Sequence, residues 1–172
     1  DAEEHEDARR AAVREAAEET GLALDDADLV PFAHWIPPEH TPTKRFSTWF
    51  FIAALPEGAV DVDVVVDGGE IGDHVWTTPG AALERHGAGE IELFPPTWVT
   101  LHELAQAASA DDAVERAKRE PIAFYSTHIA GQGDDLVALW APDAGYDSGD
   151  ADAPGPRHRL TMVSNGPWRF ER

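Results

Sequence analysis

The chain has no cysteine, one methionine and only two lysines, Lys44 and Lys118, in 172 residues. Without cysteine, disulfides and thiolate metal sites are excluded. No apolar run approaches the roughly 20 residues of a membrane-spanning helix, and no secretory signal is visible. A cytoplasmic location is therefore the default expectation. Positive charge is scarce: 13 basic residues against 33 acidic ones leave a formal charge of −20. Such a surface repels nucleic acid and anionic membranes, and neither is expected as a partner. It also repels a polyanionic nucleotide unless metal ions neutralise the site locally. The scarcity of lysine fits a salt-rich cytoplasm, where screening relieves self-repulsion, as well as it fits GC-rich coding. His102-Glu103 lacks the second histidine of a zinc-protease helix, and there is no Gly-x-Ser-x-Gly elbow.

What the chain does have is a set of charged residues at fixed intervals near its start: Glu6, Arg14, Glu15, Glu18, Glu19 and Gly21. Asp7 to Thr20 contains good helix formers and no proline, and a glycine follows where helices commonly stop. At about 100° per residue, Glu18 and Glu19 flank Glu15 on one narrow face. Val13, Ala16, Ala17 and Thr20 fall on the opposite side and can pack against a sheet. Glu6, half a turn out of phase, is expected in the loop entering the helix, with its carboxylate curling back. Clustered carboxylates repel unless something offsets the repulsion, and oxygen-only ligands suit Mg²⁺ or Mn²⁺. A solvated acidic face is the plain alternative. Six specified positions, each filled by chance about 6–7% of the time, should coincide less than about once in 10⁴ chains.

This spacing resembles the Nudix box, a glycine, then Glu, then Arg-Glu-aliphatic-any-Glu-Glu-any-Gly. Two departures stand out. Ala16 fills the aliphatic position, and the box's first glycine would fall immediately before Asp1. The first Nudix strands are accordingly expected to be missing. The resemblance implies an α/β fold, a Nudix-type α/β/α sandwich with a mixed sheet. A single domain over 1–172 is expected, with its core at about 1–108 and a C-terminal extension over 109–172. Later motifs narrow the likeness: Trp35-Ile36-Pro37-Pro38, Arg45-Phe46-Ser47-Thr48-Trp49-Phe50-Phe51, Glu70, Trp76, Pro79 and Pro95-Pro96-Thr97. Their order is similar to the Nudix branch that includes the mammalian peroxisomal coenzyme A diphosphatase.

The likeness implies a diphosphatase whose substrate is a small nucleotide diphosphate, foremost coenzyme A or acyl-coenzyme A. ADP-ribose, a dinucleotide or a damaged nucleoside triphosphate is the alternative substrate, and a non-catalytic binding module the alternative class. Glu15, Glu18 and Glu19 would hold Mg²⁺ or Mn²⁺, Glu18 would serve the attacking water, and Arg14 would orient the carboxylates. Glu6 would complete that network, and Glu70 is a candidate distal ligand or base. Lys44 and Arg45 are candidates for substrate phosphates, and Trp35 for stacking on adenine. A homodimer is compatible with the family.

Along the rest of the chain, strands are expected over Leu29–Ile36, Arg45–Ala54, Val60–Val66 and His74–Thr77. Helices are expected over Pro79–His86, Thr97–Ala108 and Asp111–Arg119, the last capped by Ser109. Pro121–Ile129 and Leu136–Trp140 read as strands, Ala141–Pro156 as an exposed acidic loop, and Leu160–Val163 with Trp168–Glu171 as a hairpin.

Overall fold

The structure, a computed structural model, describes residues 2–39, 46–55, 75–132, 135–164 and 166–172. Four helices are present among them: α1 (Ala2–Thr20), α2 (Pro79–Gly87), α3 (Pro95–Leu104) and α4 (Ala110–Arg119). Seven strands accompany them: β1 (Val30–Ile36), β2 (Thr48–Ile52), β3 (Ala123–Ser126), β4 (His128–Gln132), β5 (Asp135–Leu139), β6 (Arg159–Met162) and β7 (Arg169–Glu171). The expected α/β class holds. The strands form a three-stranded sheet ordered β2-β1-β3 and a four-stranded sheet ordered β4-β5-β6-β7. Among the described residues no helix is long and apolar enough to cross a membrane.

Two compact units divide the chain. One comprises 1–33, 49–77 and 107–123, the other 34–48, 78–106 and 124–172. Helices α2 and α4 start where side chains can bond the free backbone N–H groups. Thr78 accepts from the Ala81 N–H and Ser109 from the Asp112 N–H. Helix α4 also places Asp111 and Asp112 in its first turn and Arg116, Lys118 and Arg119 in its last, complementing the helix dipole.

The second unit has an aromatic core. Trp35 stacks on Tyr125 at 3.9 Å, and both meet Trp140 edge-on. Leu139, Trp140 and Leu160 are fully buried, and the Trp140 indole N–H donates to the Thr127 hydroxyl at 2.9 Å. The β4–β7 sheet is antiparallel throughout, and its β6–β7 pair is the expected terminal hairpin.

Several expectations are corrected. Pro121–Ile129 is two strands, β3 and β4, in different sheets, because the chain breaks at Thr127, whose N–H bonds to the Ile36 carbonyl. Val75–Thr77 is not a strand, and α3 stops at Leu104 rather than Ala108. The segment Ala141–Pro156 is a loop exposed over most of its length, as expected, but it is anchored at a buried point. Its Asp143 is buried and accepts four hydrogen bonds: from the Gly145 and His158 N–H groups at 2.8 Å each, and from Arg159 at 2.8 and 2.6 Å. Arg159 also donates to the Ala151 carbonyl, bracing the segment from both ends. Gly145 is required there, since a Cβ would meet the Asp150 carbonyl oxygen at 2.1 Å. The expected strand at Val60–Val66 lies outside the described residues.

Burial pushes the Asp143 carboxyl up, but Arg159 and the two backbone donors outweigh it and hold the group well below the ordinary carboxylate range. Its contribution to stability is therefore full above the unfolded value of about 3.9 and is lost as pH falls below it. Replacing Arg159 by Met leaves a buried carboxylate short of its partner and should cost about 3–5 kcal/mol in denaturant unfolding. Asp143→Asn should lose stability already at neutral pH and show a flatter decline below pH about 4 than the natural chain.

Candidate functional site

Helix α1 carries the box residues, and its orientation is set by the side it buries. His5 packs between Trp49 and Phe51, with ring centroids at 4.7 and 5.7 Å. One turn on, the Arg9 guanidinium donates to the carbonyls of Asp26 at 3.1 Å and Leu29 at 2.9 Å, and lies 5.8 Å from the Phe51 ring centre. Ala12, Ala16 and Thr20 continue this stripe at four-residue spacing, and all three are half-buried. The buried face centres about 100° from Glu15. It includes Val13, Ala16 and Thr20 as expected, but Ala17 is exposed.

The helix ends at Gly21, whose φ of 71° is a left-handed conformation and whose N–H bonds to the Ala17 carbonyl at 3.1 Å. The Thr20 hydroxyl donates to the Ala16 carbonyl at 2.6 Å, tightening the same turn.

Fastened this way, α1 leaves Glu15 and Glu18 exposed and Glu19 half-buried at the flank. Arg14 lies between the first two: its Nη2 is 3.4 Å from Glu15 and its Nε is 3.8 Å from Glu18. These pairs are exposed, and contacts of that kind contribute only about 0–1 kcal/mol. Glu6 belongs to the helix rather than to a loop entering it. Ala2 to Glu6 are helix formers, and Glu6 is tied to Arg10 at 3.6 Å. Nine residues before Glu15, it projects from the opposite side and does not join the three carboxylates.

The donor set is hard oxygen, suited in kind to Mg²⁺ or Mn²⁺. Among the described residues, however, no group of three or more His, Asp or Glu side chains is drawn together to hold an ion. Trp35, expected as a stacking platform, is a core residue at 3% exposure whose ring already stacks on Tyr125. Glu70, Lys44 and Arg45 lie outside the described residues. Sequence reasoning overlooked His5 and Arg9, the residues that aim the helix. Their four-residue spacing was visible, but their partners come from segments 17 to 46 positions away.

Gly21→Ala tests the helix end. No atom lies within 4 Å of the added Cβ, so the cost is purely conformational. A loss of about 1–2 kcal/mol is expected in denaturant unfolding.

A family model described as the NUDIX domain matches residues 1–119. No curated protein and no solved structure gives a significant match. The matched stretch runs from α1 to the end of α4 and covers more than half of the 172 residues. The family's general chemistry is pyrophosphohydrolysis of nucleoside diphosphate derivatives, in general with divalent metals such as Mg²⁺ or Mn²⁺. The chain belongs to the Nudix domain family.

Proposed function

We propose that this protein hydrolyses the diphosphate bond of coenzyme A or an acyl-coenzyme A, with Glu15, Glu18 and Glu19 of α1 as its metal-binding carboxylates. The observation that carries the proposal is where those charges lie. Glu18 and Glu19 occupy the last turn of α1, and no basic residue accompanies them there. The carbonyl end of a helix is partially negative, so this placement opposes the dipole. Helix α4 of the same chain obeys the opposite arrangement. A local rule broken without gain in packing is the signature of a group kept for its chemistry.

When bound, the divalent ion supplies charge neutralisation of the phosphate oxygens and acidifies water. The chain's own residues do the rest. Glu18 accepts a proton from the attacking water as its oxygen bonds to phosphorus. The bridging P–O bond breaks, and its electrons leave with the second phosphate. Arg14 holds the Glu15 and Glu18 side chains toward one another through charge-assisted contacts. Coenzyme A cleaved in this way yields 3′,5′-ADP and 4′-phosphopantetheine. The substrate choice is supported by the Trp35–Pro38, Arg45–Phe51 and Pro95–Thr97 motifs in their order along the chain.

The test is to incubate the full-length protein with Mg²⁺ or Mn²⁺ and a panel of diphosphates, and to identify products by mass. Glu18→Gln should lower turnover by at least about 10²-fold. Its unfolding free energy should stay within about 0.5 kcal/mol of the natural chain, because Glu18 is exposed. Turnover of other diphosphates with coenzyme A left intact would replace the substrate and keep the site. An undiminished rate in Glu18→Gln would remove the site assignment.

A further inference from the structure

A groove of about 700 Å³ opens in the second unit, lined by the turn after α2 and by the β6–β7 hairpin. Its size lies within the usual range of ligand pockets, about 300–1,000 Å³. Three rings line it: His86, Phe94 and Trp168. Two of them are held in place. The His86 imidazole Nδ1 bonds the Ile91 carbonyl at 3.2 Å, and its ring meets Trp168 edge-on at 4.6 Å.

Phe94 is the odd member. It is the N-cap of α3, where Pro95 and Pro96 carry no N–H and only the Thr97 N–H is left for a Ser, Thr, Asp or Asn to bond, and it makes no side-chain cap bond. It is also 82% exposed, so it gains little from burial. The fold derives neither a cap nor a core contact of any size from this phenylalanine, which is what a residue kept for a ligand looks like.

The electrostatics select the ligand. Among the described residues that line the groove there is no lysine or arginine, and Glu92 is the one acidic side chain. Glu92 is exposed. Arg85, nearby in sequence, is engaged by Glu90 at 3.2 Å. Gly87 and Ala88, at the partially negative end of α2, form part of the wall. On a chain of net charge −20, this surface disfavours phosphates and other anions. Aromatic faces beside a carboxylate favour a cation with apolar substituents, because ring quadrupoles attract positive charge that is weakly hydrated.

We infer that the groove binds a small organic ammonium ion against Phe94 and Trp168, with Glu92 as its counter-charge. The inference is independent of the α1 site and needs no turnover to test. The full-length protein, at fixed low ionic strength, is titrated calorimetrically with choline and with its uncharged isostere 3,3-dimethylbutan-1-ol. Saturable binding of choline is expected, with the isostere at least about tenfold weaker. Glu92→Gln should weaken choline binding by about three- to tenfold, and so should Phe94→Ser. Phe94→Ser restores a capping residue, so it should melt no lower than the natural chain, which separates lost binding from lost folding. Absence of saturable choline binding, equal affinity for the two probes, or unchanged binding in both variants would overturn the inference.

Discussion

The side by which α1 is fastened decides what the helix offers to solvent. Arg9 is the key fastening. Its guanidinium is largely buried and takes two backbone carbonyls from the 3₁₀ turn at Asp26–Asp28 and its exit at Leu29, while the Phe51 ring lies beside it. His5 adds a second anchor one turn earlier, between Trp49 and Phe51. With those residues turned inward, the helical repeat leaves Arg14, Glu15 and Glu18 outward and Glu19 at the flank. A rotation of the helix by one residue, about 100°, would bury carboxylates or strand the arginine.

The many charges on the chain act in two different ways. Most ion pairs, such as Arg10 with Glu6 and Lys118 with Glu115, are exposed and contribute little to stability. The Asp143–Arg159 pair is fully enclosed and satisfied at nearly every polar atom, so losing one partner is costly. It turns an acidic, Gly- and Pro-rich segment into a braced one beside the β5–β6 ladder. The carboxylates of α1 belong to the first kind in energy. Their placement is therefore not explained by a contribution to stability.

Much of this could be read from the sequence, and part of what could not depends on partners far along the chain. Helix α1, the Ser109 cap of α4 and the β6–β7 hairpin rest on local chemistry: helix formers, a hydroxyl at the first N–H groups, and a turn between apolar runs. Two of the corrected segments depend on distant partners, whereas Glu6 turns on local chemistry. The box spacing places Glu6 in a loop, whereas the helix extends back through it to Ala2. Ala141–Pro156 is mostly exposed as expected, but its anchoring is not locally legible, because Asp143 finds Arg159 only 16 residues later. Pro121–Ile129 looked continuous because nothing local announces that Thr127 will bond to Ile36. At the acidic face, Glu15, Glu18 and Glu19 were legible as one face, whereas the exposure of Ala17 required knowledge of which rings receive His5.

Manganese binding followed by electron paramagnetic resonance is the most direct test of the central claim, because it reports free ion without requiring a substrate. Titrated with Mn²⁺, the full-length protein should remove ion from solution at a saturable site. A chain carrying Glu15→Gln, Glu18→Gln and Glu19→Gln together should lose that site while retaining its helical circular dichroism. Equal Mn²⁺ uptake by the two proteins would contradict the account.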